Sequence, residues 1–127
     1  MRRPLHAIIE TPEFRSQVAG LLSAEEFGLL VDYLAEHPDA GDLMPGTGGA
    51  RKLRWAALGK GKRGGVRVIT YYAGVRVPVF LLAVFGKGSK ATLGKAECNE
   101  LRRVLHDLVS EYLKGARRHV ESRRKYP

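Results

Sequence analysis

Between residues 43 and 96 the chain carries eleven lysines and arginines and not one aspartate or glutamate. Within that stretch Lys52 and Arg54 alternate with Leu53 and Trp55, a period of two that sets both cations on one face of a strand and leaves Arg51 with Leu53 on the other. Lys60, Lys62 and Arg63 follow among glycines, Arg67 comes two residues after Gly65, and Lys87 and Lys90 sit in a glycine-bearing turn. Cations held on a strand face grip a phosphate backbone through charge-assisted hydrogen bonds. They also suit its cleavage. A ribose 2′-OH attacks its neighbouring phosphate once it has a proton acceptor, positive charge for the pentacoordinate phosphate and a proton donor for the leaving 5′-oxygen. Arginine, always charged and fork-shaped, serves the second need. A lysine crowded by other cations has its pKa lowered and becomes a credible acid or base.

Other chemistries find less support. His6, His37, His106 and His119 lie on different elements without metal-ligand spacing, and the basic stretch offers no acidic ligands, so no metal and no cofactor is called for. His106, beside Leu105 and Leu108, reads as a boundary residue. Cys98 is the sole cysteine, which rules out an internal disulfide and makes the reducing cytoplasm the expected compartment. Its neighbours Glu97 and Glu100 disfavour a reactive thiolate. There is no Gly-x-Ser-x-Gly, and the Pro45-Gly46-Thr47-Gly48-Gly49 run lacks the Gly-Lys-Ser/Thr ending of a P-loop.

The charge is segregated along the chain. Residues 1–42 hold 3 cations against 8 acids, and residues 97–127 hold 8 against 5, so the formal net charge of +9 comes chiefly from the middle. A polyanion is the natural partner of whatever surface that middle segment forms. The longest apolar stretch, 77–85, is far short of the roughly 20 residues a spanning helix needs. The start of the chain has two arginines but no apolar run or small-residue cleavage site, so neither membrane insertion nor export is expected.

The elements that must position these cations fit one domain of 127 residues. A short strand over 6–10 leads to Thr11-Pro12-Glu13, an N-cap, a first-turn proline and a first-turn acid. Ser23-Ala24-Glu25-Glu26 is a capping-box pattern opening a second helix that ends at His37-Pro38, with Glu25, Glu26, Asp32 and Glu36 expected on solvated faces. After connections at 39–42 and 45–49, a meander is expected over 51–58, 66–72 and 77–85, the last strand buried on both faces. A final helix starts near Thr92, with Leu93, Cys98, Leu101, Val104, Leu105, Leu108 and Leu113 as its buried stripe and Gly115 as its expected stop, the tail beyond either fraying or continuing the helix. The expected fold is α+β, a small mostly antiparallel sheet in the order β-αα-βββ-α, spanning 1–116 with a basic tail at 117–127. Trp55, Tyr71 and Tyr72 are available to stack on bases, although strand packing is the ordinary role of each.

The runs Gly46-Thr47-Gly48-Gly49-Ala50-Arg51-Lys52-Leu53-Arg54, Gly59-Lys60-Gly61-Lys62-Arg63-Gly64-Gly65-Val66-Arg67-Val68-Ile69 and Leu81-Leu82-Ala83-Val84-Phe85-Gly86-Lys87 resemble, in order and spacing, the HigB branch of the RelE superfamily of bacterial toxins. The resemblance covers about residues 5–113. It implies a RelE-like fold and a translation-inhibiting mRNA endonuclease. Its expected partners are mRNA in the ribosomal A site, ribosomal RNA and a helix-turn-helix antitoxin. By position Arg67 matches the family's phosphate-stabilising arginine, Lys52 and Arg54 its basic catalytic pair, and Lys87 and Lys90 its basic turn. Lys90 is thereby a catalytic candidate, while Arg51, Lys60, Lys62, Arg63 and Lys87 are expected to hold RNA. Phe85 stands where many relatives carry tyrosine, no tyrosine follows Lys90, and Ala91-Thr92 replaces an acid frequent in relatives. An RNA- or ribosome-binding protein of the same fold without turnover needs the same cationic face. A DNA-binding regulator fits less well, because the cations fall on strands and loops and no helix-turn-helix pattern is present.

Overall fold

The computed structural model of the chain describes residues 5–55, 65–86 and 93–125, with side chains as far as residue 115. Its elements run β1 (Ile8–Glu10), α1 (Pro12–Val18), α2 (Ala24–Glu36), β2 (Asp42–Leu43), β3 (Ala50–Trp55), β4 (Val66–Tyr71), β5 (Val79–Phe85) and α3 (Lys95–Lys125). The strands form one sheet in the order β1-β5-β4-β3-β2, with β1 parallel to β5 and the remaining pairs antiparallel. The protein is therefore α+β, with a five-stranded, mostly antiparallel open sheet and three helices. Among the described residues no helix is long and apolar enough to cross a membrane.

The two short helices start where local chemistry dictates. Thr11 Oγ1 accepts from the Phe14 N–H at 3.3 Å and donates to the Leu81 carbonyl at 2.8 Å, so one hydroxyl caps α1 and ties it to β5. Ser23 and Glu26 exchange the two hydrogen bonds of a capping box, at 3.1 and 2.8 Å. This reciprocity also corrects the expectation that every acid of α2 is solvated. Glu26 is buried, because its carboxylate turns back to the Ser23 N–H. From α1, α2 and the turn between them, Phe14, Leu22, Leu30 and Leu34 pack on Val66, Val68, Leu81 and Val84, which fills one face of the sheet.

The opposite face meets α3 through a smaller cluster of Ala50, Ile69, Phe80, Leu82 and Leu105. Strand β5, between β1 and β4, is buried along most of its length, as its apolar run requires. Its register with β4 slips between Ile69 and Thr70: Ile69 pairs with Ala83 and Thr70 with Leu81, leaving Leu82 as an extra residue. The bulge keeps Phe85, opposite Arg67, on the α3 side of the sheet.

Three expectations change here. Asp42, read as the end of a connection, forms with Leu43 the edge strand β2, because the 45–49 turn folds them back onto Arg51 and Lys52. The helix does not stop at Gly115 but runs to Lys125. An interior glycine costs a helix only about 1 kcal/mol, and the surrounding leucine, lysine, alanine and arginines are strong helix formers. The expected stripe of α3 is also only partly covered: Leu105 is buried, Leu101 and Leu108 are half-buried, and Val104 and Leu113 are exposed. The helix is roughly 46 Å long against about 23 Å for β5, so the sheet cannot cover it. The expected strand end at 56–58 and helix start at Thr92 lie outside the described residues.

Candidate nucleic-acid interface

Lys52 and Arg54 reach their places through a packed turn. Thr47, fully buried, donates its hydroxyl to the Met44 carbonyl at 2.7 Å and accepts the Ala50 N–H at 3.0 Å, closing the β2–β3 connection. Gly48 adopts φ +81°, and a Cβ there would lie 3.0 Å from Cγ of Arg102. Arg102 in turn donates to the Gly46 carbonyl at 2.9 Å, which fastens α3 to this turn. The glycine-rich run is thus occupied by its own packing. Its service to the site is to set the register of β3.

That register generates the site. In the ladder Arg54 stands directly opposite Arg67, and Arg67 directly opposite Phe85, a row of two cations and a ring across three strands. The next row on the same face is Lys52, Ile69 and Ala83. Lys52, Arg54 and Arg67 line one cleft of about 370 Å³ with Gly41, Asp42 and Leu53. Like charges directly opposite in a ladder cost roughly 0.2–1 kcal/mol each. Among the described residues none of the three cations is ion-paired to a carboxylate. Arg54 is exposed, and Lys52 and Arg67 are half-buried.

Asp42 is the functional candidate that reading the sequence missed. It pairs with Lys52 across the β2–β3 ladder, and directly paired residues share a face, so a carboxylate stands at the rim of the cationic cleft. The acid-free run begins at residue 43, and only the fold-back of β2 brings the preceding aspartate to the cations. The signal in sequence was the position of Asp42 just ahead of a tight glycine turn, which allows a hairpin.

The other expected residues divide clearly. Arg51 is not brought to the row: alternation places it with Leu53, and its guanidinium donates to the Gly41 carbonyl at 3.1 Å, holding the β2 edge. Lys60, Lys62, Arg63, Lys87 and Lys90 lie outside the described residues. The aromatics have packing partners: Trp55 lies against Tyr33 with ring centroids 5.3 Å apart, Tyr72 hydrogen-bonds with His6 Nε2 at 3.1 Å, and Tyr71 packs over Gly49. Phe85, next to Arg67, brings no hydroxyl to the row.

No protein-family model matches the chain. Three cations share one face with a single carboxylate opposite one of them, so the cleft offers two guanidinium donor sets that an anion can accept from and one acceptor beside them. Among the described residues no group of three His, Cys, Asp or Glu side chains is placed to hold a metal ion.

Proposed function

We propose that the chain is an endoribonuclease of the RelE/HigB type, which cuts mRNA in the ribosomal A site by attack of a 2′-OH on the adjacent phosphate and so inhibits translation. The observation that carries this reading is the direct opposition of Arg54 and Arg67 beside Lys52 on one open face. A sheet tolerates that repulsion when the pair has an anion to share, and a phosphate between two guanidinium forks receives charge-assisted bonds from both. The same forks stabilise the charge that builds on the pentacoordinate phosphate. Asp42 or Lys52 accepts the proton of the 2′-OH. Lys90, outside the described residues, is the proposed donor to the leaving oxygen, with Lys60, Lys62, Arg63 and Lys87 holding the flanking RNA. Ribosomal RNA and a helix-turn-helix antitoxin are the proposed further partners, resting on the family resemblance, and the cytoplasm is the proposed compartment, resting on the lone Cys98.

The experiment is primer extension on mRNA recovered from a translating extract. Wild-type chain introduces new cuts within A-site codons, and Arg67→Ala lowers the cutting rate by about 10²–10³, the cost of removing one preorganised group that stabilises transition-state charge. Absence of new cuts with the wild-type chain overturns the enzymatic reading. One observation favours a second reading: Phe85 puts an apolar ring in the row beside Arg67, where a hydroxyl would assist proton transfer. An RNA- or ribosome-binding protein without turnover has the same phosphate contacts, and it leaves mRNA intact while still associating with ribosomes through Arg54 and Arg67.

A further inference from the structure

A groove of about 850 Å³ opens between α3 and the sheet, on the same face as the cation row. Its floor includes Ile69 and Phe85, and its far wall includes Leu101 and Val104. Ile69 is the cross-strand neighbour of Lys52, and Phe85 that of Arg67, so the groove begins where the cations end. Along α3, positions 97, 100, 101, 104 and 108 form the flank that faces the groove, and two of them are Glu97 and Glu100. Glu97 is partly engaged, accepting the Gly94 N–H at 3.0 Å, whereas Glu100 is exposed. Glu13, at the start of α1, is a third carboxylate on the rim.

Cations, then an apolar trough, then carboxylates are matched by one nucleotide laid across the face. Its phosphate belongs at Arg54 and Arg67, its base in the trough, and the base's hydrogen-bonding edge at the acids. The carboxylates repel a phosphate, so the polarity of the groove orients the nucleotide. A carboxylate offers two acceptors and no donor. Guanine presents two adjacent donors, N1–H and the N2 amino group. Adenine and cytosine each place an acceptor beside their amino group, and uracil flanks its one N–H with carbonyls. We infer that the groove beneath α3 is a base-binding subsite for guanine, with Glu100 as the residue that reads it. This rests on the cation row being an RNA phosphate site.

The test uses the full chain and the four nucleoside 3′-monophosphates, followed by NMR at the methyl groups of Ile69, Ala83 and Leu101. The guanosine nucleotide binds about ten-fold more tightly than the uridine one, the scale of a good bidentate contact, and its signals of contact include the groove methyls. Glu100→Gln, a near-isosteric change at an exposed helical position, abolishes that advantage. Arg67→Ala weakens all four nucleotides alike. Equal affinity for the four, with no response from the groove methyls, overturns the base subsite and leaves the phosphate reading standing. Failure of all four nucleotides and of inorganic phosphate to bind overturns both. A groove that responds to a basic amphipathic peptide and to none of the nucleotides is a protein-docking surface, which also overturns the inference.

Discussion

Arg54 and Arg67 oppose each other on neighbouring strands, and the consequence is a trade between stability and binding. Arg54→Ala removes a like-charge contact and raises unfolding stability by roughly 0.2–1 kcal/mol in urea denaturation, while RNA affinity falls. A substitution that lowered both would mean that Arg54 makes a stabilising contact of its own. Asp42 is separable from the arginines by the kind of loss it causes. Asp42→Asn lowers the cleavage rate by about 10²–10⁴, the usual contribution of a general base, with RNA affinity kept or increased because a negative charge has left the cleft. Unchanged cleavage in that variant assigns proton transfer to Lys52 instead. The cations of this site were legible in sequence because alternation along β3 is a local property: Lys52 and Arg54 fall together on any strand. Their carboxylate neighbour was not, since the glycine turn after Asp42 allows a hairpin but the register that sets Asp42 opposite Lys52 is fixed only by the folded turn.

At the scale of the element, the short turn before β3 does most to place the site. Thr47 serves both ends of the connection, and replacing it with valine keeps the shape but leaves the buried Ala50 N–H without its partner. Thr47→Val therefore destabilises the chain by about 1–3 kcal/mol in urea unfolding and weakens RNA binding through a loosened β3. A variant with wild-type stability shows that the turn is held by its glycines alone. The helix starts were readable for a physical reason: Thr11-Pro12 and Ser23 to Glu26 satisfy orphan backbone groups within three residues of themselves. The element α3 was misread at both its exposure and its end. Its leucines mark a stripe at helical spacing, but how much of the stripe is covered depends on the length of the sheet beneath it. A single glycine is too weak a breaker among strong helix formers to set the end.

Across the whole molecule the two faces of the sheet do different work. The α1/α2 face is a closed apolar core, while the α3 face carries a small cluster at one end and exposed cations at the other. This division helps explain how a chain with eight acids in residues 1–42 still gathers cations on one face: Glu25, Glu26, Asp32 and Glu36 lie on α2, packed on the opposite face. The charge count along the sequence located the basic stretch that supplies the cation row, and the α+β class followed from helix signals preceding a meander. The fifth strand and the β5 bulge were not visible, because both arise from the register of paired strands and not from side-chain periodicity within one of them.

The proposed function requires that the face bearing Lys52, Arg54 and Arg67 take an RNA phosphate backbone. Equilibrium binding of a single-stranded RNA across a salt series measures this directly. The logarithm of the affinity falls steeply and linearly with the logarithm of salt concentration, and Arg67→Ala makes the slope shallower by about 0.7, the contribution of one single-strand phosphate. A flat salt response, or a slope that Arg67→Ala leaves unchanged, contradicts it.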